Sequence, residues 1–264
     1  MNILVCIKQV PDTTEIRMDP KTNTLIRAGV PSTVNPFDKY ALEAAVQLRE
    51  TLGGTVTAMT MGPAQAAQAL RECYALGADR MVLVSDRRFG GADTYATSYT
   101  LAQAVRALGG FDLILCGRQA IDGDTAQVGP QIAEKLHLPQ VTYAGEIKKE
   151  GNTFIVKRML EDGYMTVKVN TPCMITCIKE LNQPRYLSVG GAFEAYSKPL
   201  VTMTYETLKD HPLIDATTIG LKGSPTNILT SFTPPQKGAG MMLEGAGKET
   251  TDKLAGILAA KHII

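Results

Sequence analysis

The chain has 264 residues, of which 44% are hydrophobic and 20% charged, and its formal net charge is +1. This composition is typical of a globular protein with one large α/β domain and a peripheral extension. A nearly neutral chain is not expected to be a general polyanion binder, because nucleic-acid binding normally leaves a strongly basic surface.

The N-terminal sequence and the cysteines exclude several further classes. The first ten residues lack the basic start and long apolar stretch of a signal peptide, and no run of about 18 apolar residues could span a bilayer, so a cytoplasmic protein is predicted. The five cysteines contain no C-x-x-C pair, which predicts neither a disulfide nor a zinc framework. Cys173 and Cys177 share one face of a predicted strand and are interpreted as buried apolar residues, with a metal pair as the less favoured alternative.

The first half of the chain predicts strands that alternate with helices. Asn35 is predicted to cap the first helix, and Pro36 suits its first position. A small hairpin is predicted at residues 15–27. Strands are predicted at 3–7, 55–61, 81–84 and 113–116, and helices at 36–52, 64–76, 93–108 and 129–136. This order predicts a parallel sheet with helices on both faces.

The pattern changes after Pro139. Strands are predicted at 141–147, 153–157, 165–169 and 174–178, with little helix between them, as an antiparallel extension of the sheet. Residues 179–199 are predicted to be rich in loops. From about residue 221, glycines and prolines indicate an arm that ends in an amphipathic helix at 250–260. We interpret this arm as wrapping a partner subunit; folding back on its own domain is the alternative.

Ligands of open parallel sheets bind beyond the carboxyl ends of the strands. Four segments are predicted to meet there: residues 6–10, 61–63, 85–93 and 117–130. The last one combines glycines, Thr125 and the start of a helix, a pattern that favours a phosphate loop. It contains neither G-x-x-x-x-G-K-[ST] nor G-x-G-x-x-G, so no P-loop NTPase or standard Rossmann dehydrogenase is predicted. A metal site formed by Asp122 and Asp124 is a less favoured alternative to the phosphate loop.

Two other parts of this rim leave alternatives open. The glycines and helix start at 86–94 favour a second amide-rich cradle, or an ordinary crossover loop. The segment from Asn35 to Asp38 is either only a well-capped helix start or part of a nucleotide site. No nucleophile–base constellation is present in the sequence pattern, so no catalytic residue is assigned and the chain is predicted to hold a cofactor that carries the chemistry.

Several motifs occur together in order along the chain. They are Lys8-Gln9-Val10-Pro11-Asp12, Asn35-Pro36-Phe37-Asp38, Met61-Gly62-Pro63, Ala75-Leu76-Gly77-Ala78-Asp79-Arg80, residues 117–129 and Leu181-Asn182-Gln183-Pro184-Arg185-Tyr186. With these motifs the chain resembles electron-transfer flavoprotein beta subunits along essentially its whole length. One departure is Met165, which stands where the family usually has Glu or Gln.

The resemblance implies a fold, a cofactor site and a partner surface. The fold is a doubly wound, mostly parallel α/β sheet of the adenine-nucleotide alpha-hydrolase-like type, with an antiparallel extension, a domain over 1–220 and an arm over 221–264 that packs on the alpha subunit. The implied partner-recognition loop spans about 185–198 and contains Arg185, Tyr186, Leu187, Ser188 and Val189. The predicted cofactor residues are Cys6, Asn35, Pro36, Phe37, Asp38, Met61, Gly90, Gly91, Ala92, Asp93, Thr94, Thr97, Gly123, Asp124, Thr125, Ala126, Gln127, Val128, Gly129, Pro130 and Gln131.

The family has two branches, which differ in the nucleotide of the beta subunit. The loops at 88–98 and 122–129 resemble the electron-bifurcating branch, which implies FAD, NADH as electron donor, ferredoxin or flavodoxin as one acceptor, and a flavin dehydrogenase of the acyl-CoA, caffeyl-CoA or lactate type. A non-bifurcating relay that holds structural AMP is the alternative. A nucleotide-binding regulatory module of the universal-stress type is a more remote one.

Overall fold

The computed structural model describes residues 1–12, 31–210, 214–230 and 238–264. The predicted hairpin at 15–27 lies outside the described residues.

The chain divides into two compact units, Met1–Leu229 and Thr230–Ile264. Residues 221–229, predicted as the start of the arm, thus group with the first unit. Hydrogen bonds account for this, because the Leu221 amide donates to the Gly90 carbonyl at 3.0 Å and the Asp93 amide to Ser224 Oγ at 2.8 Å.

Eleven strands and seven α-helices form within the described residues. The strands are β1 Asn2–Cys6, β2 Gln9–Pro11, β3 Ser32–Val34, β4 Thr55–Met61, β5 Arg80–Val84, β6 Leu113–Gly117, β7 Gln140–Glu150, β8 Thr153–Met159, β9 Tyr164–Asn170, β10 Cys173–Cys177 and β11 Leu200–Met203. The helices are α1 Pro36–Leu52, α2 Ala67–Ala75, α3 Thr94–Leu108, α4 Val128–Leu136, α5 Val189–Glu194, α6 Tyr205–Leu208 and α7 Lys248–Ala260.

The main sheet has the order β11-β5-β4-β1-β6-β10-β7-β8-β9, and β2 pairs with β3 separately. All pairs from β11 to β7 are parallel, whereas β8 and β9 add on as an antiparallel extension. This arrangement confirms the predicted α/β class. The prediction was wrong for β10, which enters between β6 and β7 as a parallel strand, and in part for β7, which pairs in parallel with β10 and antiparallel with β8. The five residues of β10 are all buried, as expected for a strand covered on both faces.

The stretch 179–199 is rich in loops, as predicted, but it also holds a short helix that was not predicted. This helix is α5, which Ser188 caps by accepting a hydrogen bond from the Gly191 amide at 3.0 Å. Strand β11 follows and pairs in parallel with β5 at the edge of the sheet, although it was not predicted. It is only four residues long and half of it is exposed, so its sequence carries little strand pattern.

Apolar side chains pack on both faces of the parallel strands. Ile3 and Val5 face a core that includes Leu42 of α1, whereas Leu4 faces a core that includes Leu101 of α3 and Ile132 of α4. The sheet is therefore doubly wound, and the carboxyl ends of its parallel strands lie along one edge. None of the helices in the described ranges is long and apolar enough to cross a membrane.

Candidate functional site

A cavity of about 770 Å³ opens at the carboxyl ends of β1, β4, β5 and β6. This volume is in the range of about 300–1,000 Å³ that is usual for ligand pockets. All four predicted rim segments contribute to its wall. The predicted cofactor residues that line it are Cys6, Asn35, Asp38, Met61, Gly90, Gly91, Ala92, Asp93, Thr94, Thr97, Gly123, Asp124, Thr125, Ala126, Gln127, Val128 and Gly129.

Four of the predicted residues are absent from the cavity wall: Pro36, Phe37, Pro130 and Gln131. They lie in the first turns of α1 and α4 and have other contacts. The Arg118 guanidinium lies 5.5 Å from the centroid of the Phe37 ring, and Gln131 Oε1 accepts a hydrogen bond from Ser98 Oγ at 2.9 Å. Their predicted role in cofactor binding stays a prediction.

Other lining residues were not assigned as cofactor residues from the sequence, although they belong to the predicted rim segments. They include Lys8, Gln9, Ser85, Arg87, Phe89, Arg118 and Gln119. Their position directly after a buried strand was the signal that could have identified them. Ordinary residue types at such positions carry no motif, and this explains the omission.

Asp38 is a buried carboxyl group in the cavity wall. Its two oxygens accept hydrogen bonds from the Lys8 amide at 2.7 Å and from the Gly117 amide at 3.1 Å. Burial raises the pKa of Asp38 to about 7, although hydrogen bonds from Asn35, Lys8 and Gly117 act in the opposite direction. Asp38 thus links the ends of β1 and β6 to the start of α1. The loops that follow these two strands therefore start at fixed positions.

The side chain of Asn35 does not cap α1, contrary to the prediction. It bonds instead to a loop more than 80 residues further along the chain. Its Nδ2 donates to the Gln119 carbonyl at 2.8 Å, and its Oδ1 accepts from the Ile121 amide at 3.2 Å. This fully buried amide therefore fixes the loop that leads from β6 to α4.

Polar side chains and unusual backbone angles shape the rest of that loop. Lys8 Nζ contacts Asp122 Oδ1 at 2.6 Å, and Gln119 Nε2 donates to Asp124 Oδ1 at 2.7 Å. Asp124 and Ala126 have φ angles of 52° and 53°. A left-handed backbone at non-glycine residues is costly, and surrounding contacts must maintain it. The loop is therefore held in one conformation at the cavity.

The second predicted cradle, at 86–94, is connected to the first. Thr94 Oγ1 lies 2.9 Å from Gln127 Oε1, so the start of α3 is linked to the residue before α4. Asp93 caps α3 by accepting from the Ala96 amide at 3.0 Å, and its other oxygen accepts from Thr226. Burial favours the neutral carboxyl, but these hydrogen bonds outweigh it and lower the pKa of Asp93. Asp93 therefore lines the cavity as a structural cap.

Cys6 and Cys116 are register partners at the ends of β1 and β6, and both line the cavity. A hydrogen bond with Cys6, together with burial, raises the pKa of the Cys116 thiol well above its ordinary value. This thiol is consequently neutral at physiological pH and contributes a weakly polar surface to the cavity floor.

The predicted partner-recognition residues lie elsewhere on the first unit. Arg185 Nε donates to Glu43 Oε2 at 2.8 Å, and its Nη1 donates to Glu50 Oε1 at 2.6 Å, so its guanidinium is occupied within the chain. Tyr186 is 97% exposed and Val189 is 73% exposed. Ser188 anchors the loop between them, because its amide donates to the Ala75 carbonyl at 3.1 Å. The loop therefore presents apolar side chains from a fixed base.

Comparison with known proteins places the chain in a family. The model of the electron transfer flavoprotein domain matches residues 22–207. The chain is 56% identical to the acryloyl-CoA reductase electron transfer subunit gamma of Anaerotignum propionicum. It is 53% identical both to the caffeyl-CoA reductase-Etf complex subunit CarD of Acetobacterium woodii and to the electron transfer flavoprotein subunit beta of Thermoanaerobacterium thermosaccharolyticum. Each of these comparisons covers 100% of both chains. The chain therefore belongs to the electron transfer flavoprotein family, as a beta-type subunit with a role in electron transfer.

Proposed function

We propose that this subunit holds FAD in the cavity and takes part in electron bifurcation from NADH. The observation that carries the proposal is the shared wall of the cavity, to which both the 90–97 segment and the 123–129 segment contribute. A cradle for AMP needs only one phosphate-binding loop next to an adenine pocket. A second amide-rich loop on the same wall provides for a ligand that is longer than AMP.

The residues of the wall are compatible with FAD. Gly123 has open space where a β-carbon would stand, so a ligand can approach its backbone closely. The start of α4 supplies amides for a pyrophosphate. The wall also includes Met61, Val84 and Phe89, which offer apolar surface to a planar ring system.

FAD would supply the redox chemistry when bound: hydride acceptance from NADH and delivery of single electrons to ferredoxin or flavodoxin and to the FAD of the alpha subunit. The residues of this chain would bind it, orient it and exclude water from it. The names of two relatives connect their complexes to acryloyl-CoA and caffeyl-CoA reductases. A flavin dehydrogenase that acts on a CoA thioester is therefore the proposed partner.

The proposed docking surface for that dehydrogenase is the loop that begins at Arg185. Tyr186, Val189 and Phe193 are between 73% and 97% exposed, and aromatic residues such as Tyr186 and Phe193 are enriched at protein interfaces. Arg185 serves as the internal anchor of the loop, because Glu43 and Glu50 occupy its guanidinium.

The proposed contact with the alpha subunit is the second unit. Within its described residues, 238–264, no side chain is buried, and the exposed ones include Met241, Met242 and Ile264. Helix α7 likewise has no buried residue. A helix of this kind normally buries its apolar side against another element, which supports an arm that binds a partner.

Cofactor content tests the proposal. The chain is co-expressed with its alpha subunit, the purified heterodimer is precipitated, and FAD and AMP are quantified in the supernatant. Two FAD and no AMP per heterodimer are expected. One FAD and one AMP would show that this subunit holds a structural nucleotide, and the assignment of bifurcation would have to be withdrawn.

A further inference from the structure

Lys8 connects three parts of the cavity wall. Its amide donates to Asp38, its carbonyl accepts from the Asn35 amide at 2.9 Å, and its Nζ reaches Asp122 at 2.6 Å. The backbone bonds fix the residue at the start of α1, while the ammonium group extends to the loop before α4. Neither Lys8 nor Asp122 was assigned to the cofactor site from the sequence.

The ion pair is partly shielded from water. The side chain of Asp122 is 6% exposed and that of Lys8 is 41% exposed. A carboxylate so well covered depends on its partner, because an unpaired buried charge is costly. Asp122 itself does not line the cavity, but Gly123 does so directly after it. The pair therefore acts on the cavity through the position of the loop.

A second side-chain bridge lies at the other end of this loop segment. Thr94 reaches Gln127 at 2.9 Å, so residues 122–127 are held at both ends by contacts from other elements. Between them lie Asp124 and Ala126 with their left-handed backbone. A strained segment keeps its conformation only while its surroundings maintain it. Release of one end would let the amides that precede α4 leave their positions.

The acidic side chains of the wall agree with this role. Asp38, Asp86, Asp93 and Asp124 line the cavity, and each accepts hydrogen bonds from amide groups of the protein. Their carboxyl groups thus have hydrogen-bond donors within the wall, and the amides at 123–129 remain available for an anionic ligand.

On the basis of the proposed nucleotide site, we propose that Lys8 and Asp122 are positioning residues for the nucleotide: their ion pair holds the 122–127 segment so that its amides meet the phosphate groups. Lys8 acts through the loop in this arrangement. A direct contact of Lys8 with phosphate is the competing model. The two models predict opposite effects for Asp122→Asn, since removal of the carboxylate would free Lys8 for a phosphate.

The test measures AMP binding by the full chain, with affinities from calorimetry and dissociation rates from stopped-flow fluorescence of a labelled AMP. Lys8→Met and Asp122→Asn are each expected to weaken binding about tenfold, the effect of one charge-assisted hydrogen bond, mainly through faster dissociation. The double variant should be no weaker than the weaker single one, because both changes remove the same contact. Lys8→Arg, which keeps the charge, should recover most of the affinity.

The matched control is Lys148→Met, which removes an exposed pair with Glu146 on β7, away from the cavity wall, and should leave binding unchanged. Thermal unfolding checks that each variant is folded; if Lys8→Met is not, Asp122→Asn alone decides between the models. Unchanged binding in both single variants, or tighter binding in Asp122→Asn, would overturn the inference. Wild-type protein that binds neither AMP nor FAD would instead overturn the proposed nucleotide site itself.

Discussion

Asp38 packs so closely against Gly117 that a β-carbon at residue 117 would lie 2.3 Å from Asp38 Oδ1. Only glycine therefore fits at this position. The Gly117 amide also donates to that carboxylate. Strand β6 can therefore end directly against the start of α1, and the loop that follows begins at the cavity. Because residue 117 has no side chain, the end of β6 can thus lie against the start of α1.

Gly117→Ala is expected to destabilise the chain by about 2–3 kcal/mol, because the new methyl group would also lie 2.6 Å from the backbone of Phe37 and neither neighbour can move freely. Nucleotide binding should fall with it. Gly110→Ala is the matched control, since a β-carbon there meets nothing within 4 Å. Urea unfolding of both variants measures the difference, and equal stabilities would show that the contact at Gly117 is easily relieved.

The 90–97 segment can be tested separately from the 123–129 segment. Thr94→Val removes the hydrogen bond to Gln127, and Thr97→Leu places a bulky side chain in the cavity wall. Both should lower the FAD content of the purified heterodimer. Thr97→Leu should change AMP affinity little, because no hydrogen bond among the described residues joins Thr97 to the 123–129 segment, whereas Thr94→Val should also weaken AMP binding, because it releases one end of the 122–127 segment. Thr166→Leu on exposed β9 is the control. Undiminished FAD content in both variants would exclude this segment from FAD binding.

Much of the fold and the location of the site could be predicted from local sequence. Short apolar strands alternate with long helices over 3–136, and this alternation predicts parallel strands and hence a common carboxyl-end edge. The cavity lies at that edge. Strand β10 was misplaced because an apolar five-residue run is compatible with either direction relative to its neighbours. Only its pairing with β6 and β7 in the fold shows that it is parallel.

The details of the site depend on contacts between residues far apart in the chain, and for this reason they could not be predicted. Asn35 has the residue type and position of a helix cap, yet its side chain bonds to Gln119 and Ile121. Arg185 pairs with Glu43 across 142 residues, which no local pattern indicates. Local propensity describes what a residue can do, while the tertiary fold decides which partner is within reach.

Arg185→Met should release the exposed loop that begins at this residue and destabilise the chain by about 2 kcal/mol at pH 7, since Glu43 would remain buried without its cation. Burial opposes ionisation of Glu43, but its contacts with Arg185 outweigh burial and lower its pKa below the ordinary value of 4.5. This contribution to stability is therefore present above pH 4.5 and disappears as the pH falls through the folded-state pKa. The difference between wild type and variant should shrink on acidification.

Unfolding curves between pH 3 and pH 7 measure that difference, and a gap independent of pH would show that Arg185 stabilises the loop by packing alone. Lys209→Met is a suitable comparison, because its partner Glu206 is exposed. Exposed pairs contribute little, about 0–1 kcal/mol. Partner binding should weaken in Arg185→Met and remain unchanged in Lys209→Met, if the anchor also orders Tyr186 and Val189 for docking.

Deletion of residues 234–264 should weaken assembly with the alpha subunit and leave the first unit folded. The two compact units divide after Leu229, and the described residues of the deleted segment bury no side chain, so little core is lost with them. Circular dichroism should show an almost unchanged melting temperature, while size-exclusion chromatography of the co-expressed subunits should show dissociation. Substitution of Met241 and Met242 by Ser tests the same contact without truncation, because removal of exposed apolar side chains can weaken an interface and costs the isolated subunit little stability. A truncated chain that still forms a stable heterodimer would mean that the arm contributes nothing essential to assembly.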